Sequence, residues 1–134
     1  MTLKWATKDD FSIHLAEKPG ELASLSSKFQ DNGISLIGFW GDHSVTGKAN
    51  FHCVPEDPKK FRAFAEREGL NIDEDLAIYI NGPDTAGALG EILEELATAG
   101  VNIHAIQAVV VHGQFGCFIW VDQKDFDLIA KALG

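Results

Sequence analysis

Basic residues are scarce in this chain. Eleven Lys and Arg stand against twenty Asp and Glu in 134 residues, a formal net charge of -9. A duplex binder needs a cationic footprint, so nucleic acid is not expected as a ligand. An anionic membrane surface is disfavoured on the same ground. Cysteine is scarcer still. Cys53 and Cys117 share no metal or redox spacing, and so few thiols fit a reducing compartment, the cytoplasm. No apolar run approaches the roughly 18 residues of a membrane helix. Residues 1–10 contain no apolar stretch of the kind a secretory signal carries, so no signal peptide is expected. What remains is a globular composition, 46% hydrophobic and 23% charged, in a chain long enough to bury a core without staples.

The chain repeats itself. Sliding it by 67 residues gives a gapless match over its whole length, with nine identities: Leu3/Leu70, Ile13/Ile80, Gly20/Gly87, Leu22/Leu89, Gly33/Gly100, Phe51/Phe118, Val54/Val121, Ala63/Ala130 and Ala65/Ala132. Apolar and glycine positions agree in register through every element. Two repeats are therefore expected, 1–67 and 68–134, with the boundary near Glu68-Gly69.

Each repeat reads β, β, α, β, β, α. A short alternating segment, Leu3–Thr7 or Leu70–Ile72, precedes a polar turn at Lys8-Asp9-Asp10 or Asp73-Glu74-Asp75. Phe11, Ile13 and Leu15 then alternate with polar residues, as do Leu76, Ile78 and Ile80. A loop leads into a helix whose core stripe is Leu22, Leu25 and Phe29, or Leu89, Ile92 and Leu96. Both helices stop at a glycine, Gly33 or Gly100. Strands Ile34–Trp40 and Val101–Gln107 follow. Hairpin turns at Gly41–Gly47 and His112-Gly113-Gln114 lead to strands Ala49–Val54 and Gly116–Val121. Asp57-Pro58 opens the next helix of the first repeat, with Phe61, Phe64 and Ala65 inward; Leu128, Ile129 and Ala132 serve the second.

Moving the first strand to the end gives βαββαβ, the ferredoxin-like order. The fold class is α+β: two permuted ferredoxin-like domains, antiparallel sheets with helices on one face. Strands 34–40 and 101–107 fall at sheet edges and carry almost no charge, although edges are usually blunted. If those edges pair with each other, one eight-stranded sheet results. Whether the first strand of each repeat pairs within its own repeat or across repeats stays open.

The segment Phe11–Ala23, with Glu17-Lys18-Pro19-Gly20-Glu21-Leu22 at its centre, followed by Asn32-Gly33-Ile34-Ser35-Leu36, resembles an ACT domain. The usual loop of that family reads Asp-x-Pro-Gly-x-Leu, and here Glu17 replaces the Asp. The second copy, Asp84-Thr85-Ala86-Gly87-Ala88-Leu89, keeps the Asp, Gly and Leu but has Ala86 for the proline, and it retains Gly100-Val101-Asn102-Ile103. The resemblance implies a free-standing, non-enzymatic regulatory module of two tandem domains. Its ligand would be a free amino acid, bound near the strand–helix loops at an interface between ACT domains. It would be a homodimer, with a metabolic enzyme as a further partner. The alternative is an ACT-like interaction module that dimerises without ligand.

The physics of such a site agrees with the implied residues. A helix start offers unpaired N–H groups and partial positive charge to a carboxylate. Glycines at Gly20 and Gly87 let a ligand approach the backbone. Acceptors for the ammonium would come from Glu17, Asp84 or Asn102, with Asn32 as a further candidate. A plain helix-start charge explains Glu17 and Asp84 equally well.

No other chemistry is expected. The five histidines, His14, His43, His52, His104 and His112, show no ligand spacing, so no metal site is assigned. Cys117 reads as a small packed residue, not a nucleophile, and no catalytic residue is assigned. Phosphate-loop and dinucleotide fingerprints are missing, so no cofactor is expected. Trp40, Phe51, Phe118 and Trp120 lie on strands and are expected to pack beneath the helices.

Overall fold

A computed structural model describes residues 3–16, 18–43 and 48–134. The elements run β1 (Lys4–Ala16), α1 (Glu21–Asp31), β2 (Leu36–His43), β3 (Lys48–Pro55), α2 (Pro58–Glu68), β4 (Ile72–Pro83), α3 (Ala88–Thr98), β5 (Ile103–Val111), β6 (Gln114–Val121) and α4 (Phe126–Leu133), with a 3-10 turn at Gln123–Asp125 before α4. The strand order is β2-β3-β1-β4-β6-β5.

Six strands form among the described residues, not eight. The turns expected at Lys8-Asp9-Asp10 and Asp73-Glu74-Asp75 do not exist; β1 and β4 run straight through them. Asp is the one turn-favouring residue in either stretch, and neither holds Gly, Pro or Asn. Their carboxylates are held elsewhere. Asp10 accepts from the His52 ring, and Glu74 receives two hydrogen bonds from Arg62, which also lies 3.8 Å from Asp9. Nor do the edges pair with each other: β2 neighbours only β3, and β5 neighbours only β6.

The chain divides into two compact units. The first is Asp9–Asp75; the second combines Met1–Lys8 with Leu76–Gly134. The first unit has strand order β2-β3-β1-β4, using the start of β4 as its fourth strand, which is the ferredoxin-like order. The second has β5-β6-β4-β1 and borrows its fourth strand from the start of the chain. The early segment of each repeat thus completes the other half. Leu70 and Ile72 pack on the first unit's core, and Leu3 and Trp5 on the second's.

In the first unit, Phe11, Ile13 and Cys53 on the sheet meet Leu25 and Phe29 of α1 and Phe61 and Phe64 of α2. In the second, Ile78, Ile80, Cys117 and Ile119 meet Ile92 and Leu96 of α3 and Ile129 of α4. Both helices of a unit therefore cover one face of its sheet. Asp57 caps α2 by accepting from the Lys60 amide at 3.2 Å, with Pro58 at the first helical position. Leu22, expected in the core, is 42% exposed. The helical stripe is narrower than the spacing suggested and begins at Leu25.

The register corrects the gapless repeat. Phe11 faces Cys53 and its mate Ile78 faces Ile119, so β3 and β6 correspond one residue short of the 67 spacing. Trp40 and Gln107, opposite His52 and Phe118, keep that spacing. The slip falls in the hairpin loop, and a slip of one exchanges the faces of a strand. Phe118 is consequently the mate of His52, not of Phe51. Phe118, Trp120 and Trp40 lie on the helix-free face, against the expectation that they pack beneath helices; Phe118 stacks on Tyr79 at 4.7 Å and Trp40 on His52 at 5.3 Å. Phe51 alone of the four faces the helix side, beside Phe39. Its ring lies over Gly41, where a Cβ would collide with the ring's Cδ1. Gly41→Val is expected to force that ring pair apart and to cost about 1–3 kcal/mol in urea unfolding, whereas Gly90→Ala, in open space on α3, should cost nothing.

Candidate functional site

The loops before α1 and α3 are built alike. Gly20 has φ 90° and ψ −16°, Gly87 φ 85° and ψ 0°, and each stands as the residue that opens its helix. This left-handed conformation is costly for a residue with a Cβ. Among the described residues no side chain caps either helix, and none lies within 4 Å of the place a Cβ would occupy. Each helix start closes its first amide on the loop, Glu21 on the Lys18 carbonyl and Ala88 on that of Thr85, and leaves the next amides to an open approach with the partial positive charge of the helix behind them.

In the second unit the loop is tied to the neighbouring hairpin. The Asp84 amide donates to the Gly113 carbonyl at 2.8 Å, and the Ala88 amide to the Thr85 carbonyl at 3.0 Å. His112 and Gly113, both at positive φ, form the two-residue turn joining β5 to β6. Asp84, Thr85, Ala86 and Gly87 are exposed, Leu89 is half-buried against the core, and Ala88 is buried. In the first unit Lys18, Pro19 and Gly20 are exposed. Lys18 and Glu21 form an ion pair at 3.3 Å, so Glu21 carries a local cation of its own. Glu17 lies outside the described residues.

The two asparagines are placed elsewhere. Asn32 ends α1, eleven residues beyond its start; it donates to the Lys28 carbonyl at 2.8 Å and accepts from Arg67 at 2.9 Å. Both ends of its amide are used in joining α1 to α2. Asn102 is exposed and lies before β5, at the far end of α3 from Gly87. Within each unit the loop and the asparagine are thus separated by a whole helix, about 16 Å at 1.5 Å per residue.

A polar cluster that composition did not reveal lies on the helix-free face of the first unit. Asp10 is 2% exposed. The His52 Nδ1 donates to its Oδ2 at 2.8 Å, and Asn50 Nδ2 stands 3.3 Å from His52 Nε2. Ser12 Oγ is 3.5 Å from the same Nδ1. Both ring nitrogens are engaged and the Trp40 ring covers the imidazole, so the arrangement holds the histidine in place instead of priming Ser12. Asp10 and His52 lie 42 residues apart; only strand register joins them. His104 pairs with Asp122 at 2.8 Å, at the end of β5 away from the Gly87 loop. Among the described residues no group of three or more His, Cys, Asp or Glu is arranged to hold a metal ion, and no helix is long and apolar enough to cross a membrane.

No protein-family model and no curated protein matches the chain. Solved structures do. A Bacteroides thetaiotaomicron protein superimposes with TM-score 0.84 and 19% identity, over 96% of this chain and 88% of its own. The aspartokinase alpha and beta subunits give 0.66 and 17%, over 99% and 95%. The ligand-free regulatory subunit of aspartate kinase from Thermus thermophilus gives 0.64 and 11%, over 98% and 97%. At these identities the likeness is one of fold, and the fold is the ACT-like, ferredoxin-type arrangement in two units.

Proposed function

We propose that this chain is a non-catalytic regulatory module, two sequence repeats at 1–67 and 68–134, that binds a free amino acid at its strand–helix loops. The observation that carries the reading is the duplicated helix start: Gly20 and Gly87 share one left-handed geometry, both uncapped and open among the described residues. The ligand carboxylate would sit on the Leu89 and Gly90 amides, the Ala88 amide being taken by the Thr85 carbonyl, with Asp84 in the same loop to answer the ammonium. The Gly20 loop, with Lys18, Pro19 and Leu22, is its counterpart. Likeness to a subunit described as regulatory supports the reading. Ligand would act by favouring one packing of the module over another. The module would work as a homodimer beside a metabolic enzyme, in the cytoplasm.

A second reading has its own observation. Val109, Val110 and Val111 on the β5 edge are 61%, 49% and 55% exposed. Such an edge suits an interaction module that dimerises without ligand.

A thermal-shift screen against the twenty amino acids at millimolar concentration separates the two. A ligand of the native state at a hundredfold excess over its Kd adds about 2.7 kcal/mol, so a clear rise in melting temperature is expected for one chemically related group. Gly87→Val should abolish that rise, and Gly20→Val should reduce it. No rise with any amino acid would leave the interaction module.

A further inference from the structure

We propose that the groove between α3 and α4 is a docking site for a cationic amphipathic helix of a partner protein. This inference is independent of amino-acid binding, because it uses the outer face of the second unit and not the loops.

The groove is a cavity of about 660 Å³, lined along α3 by Glu91, Glu94, Glu95 and Thr98, and along α4 by Leu128, Lys131 and Ala132, with Ala99 at its end. The α3 residues follow the spacing i, i+3, i+4, i+7, which is one continuous helical stripe. The floor is apolar and half-buried, and the rim is acidic. A second, smaller cavity shares Glu95 and Ala132 and continues the floor through Leu3, Trp5 and Leu133, with Lys4 also on its wall, in no ion pair with Glu95 within 4.0 Å. Leu128, Ala132, Leu133 and Trp5 supply apolar surface across the two, between polar walls, which suits the apolar stripe of a helix.

Charge identifies the occupant. Glu91 stands four residues from Glu95 and three from Glu94, so like charges share one stripe and repel. Elsewhere Glu21 has Lys18, Glu68 has Lys28 and Glu74 has Arg62, whereas Glu56 and Glu66 stand singly; only the groove gathers three glutamates on one helical stripe. Glu91, Glu94 and Glu95 take part in no ion pair among the described residues, and Lys131 on the opposite wall reaches none of them within 4.0 Å. Three unanswered carboxylates beside an apolar floor fit Lys or Arg flanking a Leu or Trp stripe, and a helix of about three turns spans the length of α3.

The test uses the full chain and a fluorescent peptide of Leu and Lys with Leu at i, i+3, i+4 and i+7, against a scrambled peptide of equal composition. Saturable binding is expected, with amide NMR shifts concentrated at Glu91, Thr98, Leu128 and Lys131. The Glu91→Lys/Glu94→Lys/Glu95→Lys variant should lose at least tenfold in affinity; these exposed substitutions leave the core intact, which the amide spectrum of the free variant checks. Leu128→Ser should weaken the amphipathic peptide and not change the scrambled one. Equal binding of both peptides, unchanged affinity of the triple variant, or shifts confined to the β5 edge would overturn the proposal. So would the same shifts arising on concentrating the protein alone, which would place a second copy in the groove, or on adding free arginine, which would make it a small-cation site.

Discussion

Phe61→Ala is expected to destabilise the protein by about 3–5 kcal/mol, and to lower the melting temperature by roughly 10–20 °C for a chain of this size. Phe61 is fully buried. Its ring stacks on Phe11 at 4.6 Å and lies 6.0 Å from both Phe29 and Phe64. One side chain therefore joins β1, α1 and α2, and its removal leaves a cavity bounded by three rings too large to close over it. Leu22→Ala is the matched control. Helical spacing gives it the same rank as Leu25, but at 42% exposure it should cost under about 1 kcal/mol. Urea unfolding of both variants checks the pair. Equal losses would mean that α1 is rotated from the orientation described here.

That contrast shows what the residue pattern carried. Periodicity found every helix and nearly every strand, because apolar spacing is dictated by the face an element buries. It also found the ferredoxin-like order, since the permutation follows from counting elements. It failed at the charged stretches around Asp9 and Glu74, where polarity was read as a turn. In fact the carboxylates are answered by Arg62 and His52 from other elements, and no local pattern announces a distant cation. The one-residue slip in β3 and β6 was hidden for a related reason. A gapless match cannot show a deletion in a hairpin, yet that deletion decides that Phe118 faces away from the helices.

The candidate site divides along the same line. Gly20 and Gly87 were legible because a glycine just before a helical stripe signals a local backbone need. Asn32 and Asn102 entered with the motif, Asn102 also as an acceptor for an ammonium, and each stands a helix length from the loop of its own unit. Asn32 is spent in holding Lys28 and Arg67. The Asp84–Gly113 hydrogen bond that braces the second loop had no sequence signal; it depends on where a hairpin 29 residues away folds back.

The two cysteines make the protein sensitive to alkali in a calculable direction. Both are fully buried, Cys53 in the first unit and Cys117 in the second. Burial pushes the Cys53 thiol from 9.0 to about 12, with the negative charge of Asp10 adding to the rise. Burial alone takes Cys117 to about 11. Below pH 9 both thiols hold their protons whether the chain is folded or not, and they contribute no slope. Above pH 9 the unfolded chain sheds these protons first. It then binds fewer protons than the native state, so stability falls as pH rises. Each thiol contributes about 1.4 kcal/mol per pH unit. The loss runs over pH 9 to 11 for Cys117 and over pH 9 to 12 for Cys53, and by pH 11 it totals about 5 kcal/mol, the lower end of the stability of a small domain. Urea unfolding at half-unit steps from pH 8 to 11 measures the slope. Cys53→Ala removes one titrating thiol and is expected to flatten it by about half above pH 9, at the expense of a small cavity that lowers stability equally at every pH. A slope that Cys53→Ala and Cys117→Ala both leave unchanged would show that the thiols are reached by solvent in the native state, and rapid alkylation of either one at pH 8 would show the same.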